Sequence, residues 1–277
     1  MFTLVAGTGY TGRRVLERLP AGEVAGASRS PIDTDRPFHL VDFDAPDLSA
    51  LALPDGYAVL YTCPPGDKGD LRLQRFLASL SPTPARFVYI STTGVYGNCH
   101  GAVVNEDTPV NPDSRMSVPR VEAENLLAEW ADRVGCDLVV LRVPGIYGPG
   151  RLGIERIGQG GACIDDDEAN PGNRIHVDDL VTCCIAALSA ETPAGVYNVG
   201  DGDHRSSTWF AGEVARQAGL PEPRKVSRAQ AEKEFSSTRL AFMAASRVVD
   251  TTKMREVLGV TPRYANPEDG IAASLPR

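Results

Sequence analysis

The chain has 277 residues, 42% of them apolar and 23% charged, a globular balance that excludes a disordered polypeptide. A formal net charge of −8 argues against nucleic acid and anionic lipid as partners, though not against a local basic pocket for a small anion. No apolar run approaches the ~18 residues of a membrane span, and residues 1–6 carry neither a basic stretch nor a cleavage site, so a cytoplasmic protein is expected.

In chain order, residues 2–6 are predicted as a strand and 10–19 as a helix ended by Pro20. Further strands are expected at 23–28, 38–41, 57–62, 86–91 and 137–143, with the longer helices at 70–80 and 118–134 between them. Strands separated by helices pair in parallel, because parallel neighbours need a crossover connection. Beyond Gly145 the pattern loosens. Gly, Pro and Asp dominate 148–173, helices are expected at 179–190 and 207–217, a strand at 195–199 and a short helix near 252–258. The expected fold is a Rossmann-type doubly wound parallel sheet over residues 1–145, joined by segments 174–200. Residues 146–173 and 201–277 form a small substrate-binding lobe.

Gly7-Thr8-Gly9-Tyr10-Thr11-Gly12 fits G-x-G-x-x-G, follows an apolar strand and opens a helix. Gly7 allows the tight turn, Gly9 admits a pyrophosphate against the backbone, and Gly12 lets the helix pack on the strand. The start of that helix presents N–H groups and partial positive charge to phosphates. The second strand ends Ala27-Ser28-Arg29-Ser30, without the acid that would hold a ribose 2′-hydroxyl. Arg29 and Ser28 instead suit a 2′-phosphate, so NADP is preferred over NAD; Arg29 is otherwise a solvated loop residue. Asp42 and Phe43 follow the third strand and serve either an adenine or, for Asp42, a turn. Thr62, Cys63 and Pro64 after the fourth strand, and Pro144 after the sixth, are expected against the cofactor. The six cysteines form no C-x-x-C pair and the four histidines show no ligand spacing, so reduced thiols and no metal are expected.

The order GTGYTG (7–12), STTGVYG (91–97), LRVPGIYGPGR (141–151) and RIHVDDL (174–180) resembles the extended and atypical short-chain dehydrogenases/reductases, nearest the NAD(P)-dependent epimerase/dehydratase branch. The resemblance implies an oxidoreductase or epimerase/dehydratase-like activity on a small or sugar-like carbonyl or alcohol. It also implies a homodimer formed through the helices at 70–80 and 118–134. It places the catalytic hydroxyl at Thr92, with Thr93 second. Its Y-x-x-x-K pair falls on Met116 and Arg120. Methionine cannot transfer a proton, whereas Arg120 can still hold a ribose. Three outcomes stay open. Either another group, Tyr96, Tyr147 or His100, supplies the proton or Thr92 and Arg120 act electrostatically, or the protein is a non-catalytic NADP(H) sensor.

Ser117 reads as a helix N-cap, and Asp178 or Asp179 as the cap of the next helix. Tyr96, Tyr147, Arg151 and Arg174 are the substrate candidates, the two arginines being otherwise ion-pair residues. His176 reads as a buried structural histidine, and the acids at 165–168 as a solvated loop.

Overall fold

A computed structural model describes every residue except 49, 50, 52, 67–69, 237, 238, 241, 242, 244 and 277. Its centre is a seven-stranded sheet. In chain order the first elements are β1 (Thr3–Ala6), α1 (Tyr10–Arg18), β2 (Val24–Ser28), β3 (Phe38–Leu40), β4 (Ala58–Tyr61), α2 (Leu71–Ser79) and β5 (Arg86–Thr92). After a short β6 (Val103–Val104) come α3 (Val118–Val134) and β7 (Asp137–Val143). The central sheet closes with β11 (Gly195–Asn198), in the order β11-β7-β5-β4-β1-β2-β3, every pairing parallel.

The strands read as continuous apolar runs because both faces of the sheet are covered. Successive side chains alternate: Leu4 packs with Tyr61, Phe76 and Phe87 on one face, Val5 with Val15, Val88 and Leu141 on the other. On the first face Phe43, Tyr61, Phe76, Phe87 and Trp130 form a chain of aromatic contacts against α2 and α3. On the second, α1 and α5 (Val177–Leu188) bury Val15, Leu16, Leu180 and Cys184. The strand order reverses between β1 and β4, which opens a crevice at their carboxyl ends.

The rest of the chain caps that edge. It comprises β8 (Gly145–Tyr147), α4 (Ile154–Gly158), β9 (Cys163–Ile164), β10 (Arg174–His176), α6 (Ser207–Ala218), β12 (Lys225–Val226), α7 (Arg228–Glu234), β13 (Val248–Val249), α8 (Thr252–Glu256) and α9 (Pro267–Ser274). Three two-stranded parallel pairs, β8–β10, β9–β12 and β6–β13, stitch it together. A small core of Leu152, Ile157, Val214 and Ile271 holds it.

Two local expectations are corrected. Helix α5 begins at Val177 rather than 179, because His176 caps it: its Nδ1 accepts from the Asp178 N–H at 3.1 Å. Asp179 instead turns inward and accepts from the N–H groups of Arg263 and Tyr264. Helix α9 was not expected. Its signal is present in Asn266-Pro267-Glu268, where Asn266 caps the helix and proline opens its first turn.

Candidate functional site

The glycine loop lies at the carboxyl end of β1. Gly7 has φ +94°, and a Cβ there would meet Thr62 Oγ1 at 2.6 Å. A Cβ on Gly12 would stand 2.0 Å from the Gly7 carbonyl oxygen. Around Gly9 there is open space, with no heavy atom within 4 Å of a built Cβ. Helix α1 starts with no side-chain cap and no acid in its first turn, so its first N–H groups face outward without a competing carboxylate. Hydroxyls pin the loop: Thr62 donates to the Gly7 carbonyl at 2.7 Å, and Thr8 donates to Ser28 at 2.8 Å. Thr11 is buried. The Cys63 thiol points to the Ala6 carbonyl, and burial pushes its pKa up to about 11, so it stays a neutral thiol; Pro64 beside it is exposed. The open Gly9 and the uncapped helix start fit a dinucleotide's diphosphate.

At the end of β2, Arg29 lies 3.8 Å from Asp44. Arg72 pairs with the same carboxylate at 3.0 Å, and Arg75 donates to its backbone carbonyl. The hydrogen bond from Arg72 holds the Asp44 carboxyl below its usual pKa. Asp42 accepts from the Asp44 N–H and so shapes a turn. Phe43 does not face a ligand: its ring is buried against Tyr61 and Phe76.

A cavity of about 340 Å³ opens beyond the carboxyl ends of β5 and β7. Thr92, Thr93, Met116, Ser117, Pro144, Tyr147, Arg151 and Arg174 are all in its wall. Thr92 Oγ1 accepts from the Gly94 N–H at 3.1 Å, which leaves its own proton free to donate. Met116 is 52% exposed. Arg120 lies outside the cavity wall and donates to the Ile90 carbonyl and the Tyr89 hydroxyl. Ser117 holds the N-cap position, but its hydroxyl makes no capping bond; it is buried and pairs with Ser114 Oγ at 2.8 Å.

Several expected site residues lie outside the wall or have their polar groups engaged elsewhere. Tyr96 is buried, donating to Asn198 Oδ1 at 2.8 Å and accepting from Arg142 at 3.0 Å. Burial raises its pKa, and it is not among the residues that line the cavity. Arg142 is held in turn by a buried ion pair with Glu124 at 2.8 Å. His100 lies on an exposed loop outside the wall. Tyr147 offers only its ring, since its hydroxyl is buried against Gly270. Arg174 is consumed by Asp203 at 2.8 Å and by the Arg205 and Ser206 carbonyls. Arg151 keeps its charge available, stacked 3.9 Å over Tyr10, whose other neighbour is Arg14.

His176 is buried, bonds Ser274 at 3.0 Å, and burial lowers its pKa. In the acidic run, Asp166 pairs with Lys225 and Glu168 accepts from the Arg228 N–H. Among the described residues no group of His, Cys, Asp and Glu could hold a metal. Ser114, Met243 and Arg247 also line the cavity and were not anticipated. Ser114 precedes the helix whose register drew attention to Met116, whereas Met243 and Arg247 come from the tail and carry no local signal.

A Rossmann sheet with a glycine loop at its switch point and a lobe over its carboxyl edge defines a dinucleotide-binding protein of the short-chain dehydrogenase/reductase class. Residues 68–200 match the NAD dependent epimerase/dehydratase family, and the chain belongs to it. Protein YeeZ of Escherichia coli K12 is 28% identical over 232 residues, covering 81% of this chain and 77% of that protein. A dTDP-glucose 4,6-dehydratase of Streptomyces niveus is 27% identical over 188 residues, 65% of this chain and 53% of the relative. A functionally unknown conserved protein from Silicibacter pomeroyi has a solved structure with TM-score 0.82 and 30% identity, covering 99% and 98% of the two chains.

Proposed function

We propose that the chain is an NADP(H)-dependent oxidoreductase or epimerase/dehydratase-like protein acting on a small or sugar-like carbonyl or alcohol. The carrying observation is that one sheet edge bears both the open backbone at Gly9, before an uncapped helix start, and the cavity with a free Thr92 proton. The name of the Streptomyces relative supports a sugar-like substrate. NADP over NAD is supported by Arg29, Arg72 and Arg75 around Asp44 and by the lack of an acid at the end of β2. Residues 1–145 with 174–200 would hold the cofactor, and 146–173 with 201–277 the substrate. A cytoplasmic homodimer belongs to the same reading, with Leu71 of α2 and Val118 of α3 left exposed for contact.

A bound nicotinamide would exchange a hydride with the substrate carbon. The chain's own part is polar. Thr92 donates to the substrate oxygen while the Gly94 N–H holds its Oγ1 in place. Arg120, fixed on the Ile90 carbonyl, supports the ribose and keeps a positive charge near the reacting oxygen.

Met116 favours a second reading, a non-catalytic NADP(H) sensor, because it puts a thioether at the cavity wall where proton transfer would be needed. The double variant Met116→Tyr with Arg120→Lys separates the two, with NADPH consumption measured over a panel of carbonyl substrates. Turnover by the unmodified chain supports the enzyme. Turnover confined to the double variant supports the sensor.

A further inference from the structure

Among the described residues four arginines line the cavity, and three have their guanidinium ion-paired, hydrogen-bonded or exposed to water. Arg174 is paired with Asp203. Arg228 donates to the Glu168 carbonyl and to Asn170 Oδ1. Arg151 stacks on Tyr10. Arg247 is different. It makes one side-chain hydrogen bond, from NH1 to the Gly97 carbonyl at 2.8 Å, and its Nε is buried without a partner. No described carboxylate forms an ion pair with it. Asp113, the one acid among the described wall residues, has its carboxylate on the Asn98 N–H at 3.0 Å. Burial lowers the Arg247 pKa, as expected for a cation taken out of water without compensation.

A buried charge is costly unless paired, and guanidinium is suited to a planar oxyanion. The cavity wall also carries the apolar side chains Ile146, Ile164, Phe210 and Met243. Its bond to Gly97 places it at the far end of the short turn Thr93–Tyr96 that begins beside Thr92. Such a turn rises about 2 Å per residue, so roughly 10 Å of backbone separates Thr92 from Gly97.

We propose that Arg247 receives the carboxylate of a compact, partly apolar substrate whose other end presents the reacting oxygen to Thr92. Of the four, Arg247 is the one with a buried N–H left without a partner, and a single planar carboxylate satisfies it. The proposal rests on reading the cleft as an NADP(H)-dependent site, and deepens it by naming the substrate class.

The test is calorimetric titration of the 277-residue chain, with and without saturating NADPH. The probes are levulinate, 6-oxoheptanoate and 4-acetylbenzoate, whose keto oxygen is remote from the carboxylate, each against its primary amide, with glucose 1-phosphate and UDP-glucose as phosphate arms. The acids are expected to bind roughly tenfold or more tightly than the amides, the scale of one charge-assisted pair. Arg247→Gln should erase that preference and Arg247→Lys retain part of it, while both variants bind NADPH as the unmodified chain does, which shows that they are folded. Equal binding of acid and amide, binding by the phosphate compounds alone, no binding by any acid, or a preference that survives Arg247→Gln would each overturn it. Failure of NADPH to bind would count against the cofactor reading, and is seen before any acid is added.

Discussion

The two ends of the cleft are built differently. At the cofactor end, backbone geometry does the shaping: a positive φ at Gly7, open space at Gly9 and close packing at Gly12, with Thr8, Thr62 and Ser28 tying the loop down. At the substrate end, side chains from distant segments meet, and several polar atoms are left without partners, among them Arg247 Nε, Tyr147 OH and Asp201 Oδ2. A backbone-shaped site is specified by a few glycines and tolerates change elsewhere. A side-chain-shaped site is retuned by single substitutions, which is how one fold serves many substrates.

The largest effect is expected from Gly9→Val. No atom lies within 4 Å of the new Cβ, so thermal stability should fall only by the cost of a branched residue at the helix N-cap, about 1 kcal/mol, yet the side chain would fill the diphosphate's place and abolish NADPH binding. Gly12→Val should lose both binding and stability, because its Cβ meets the Gly7 carbonyl at 2.0 Å. Calorimetry and thermal unfolding, run together, distinguish the two variants; equal behaviour would blur the contrast drawn above.

Next in size is Asp201→Asn at the substrate end. Asp201 is buried, and burial raises its pKa to about 7. The folded chain therefore holds this proton more tightly than the unfolded one, so the group's contribution is most favourable below the unfolded value near 3.8 and is lost as pH rises towards 7. Asparagine keeps the acceptor for the Asp203 N–H and carries no charge. It should stabilise the protein at pH 8 by on the order of 2–4 kcal/mol, with little gain at pH 4. Denaturant melts at the two pH values check this; a pH-independent difference would refute it. The smallest effect expected is from Arg29→Ala, which should cut the preference for NADPH over NADH by roughly tenfold in paired titrations while leaving NADH binding unchanged.

The same contrast explains what was legible in the amino-acid sequence. The glycine loop, the buried strands and α3 follow local rules of spacing and periodicity, so they were readable one segment at a time. The substrate end was not. Tyr96 and Arg174 have the residue types of a site, but partners about 100 and 29 positions away, Asn198 and Asp203, turn them into internal supports. Tyr147 directs its hydroxyl at Gly270, more than 120 positions away on a helix marked in the sequence only by its Asn266-Pro267 start. Arg247 enters the cavity from the tail, placed there by the pairing of β13 with β6, which no local pattern announces.

The most direct measurement is calorimetric titration of NADPH and NADH into the unmodified chain. One site per chain, tighter for NADPH and absent in Gly9→Val, is the predicted result. Heats of dilution alone with both dinucleotides would contradict it.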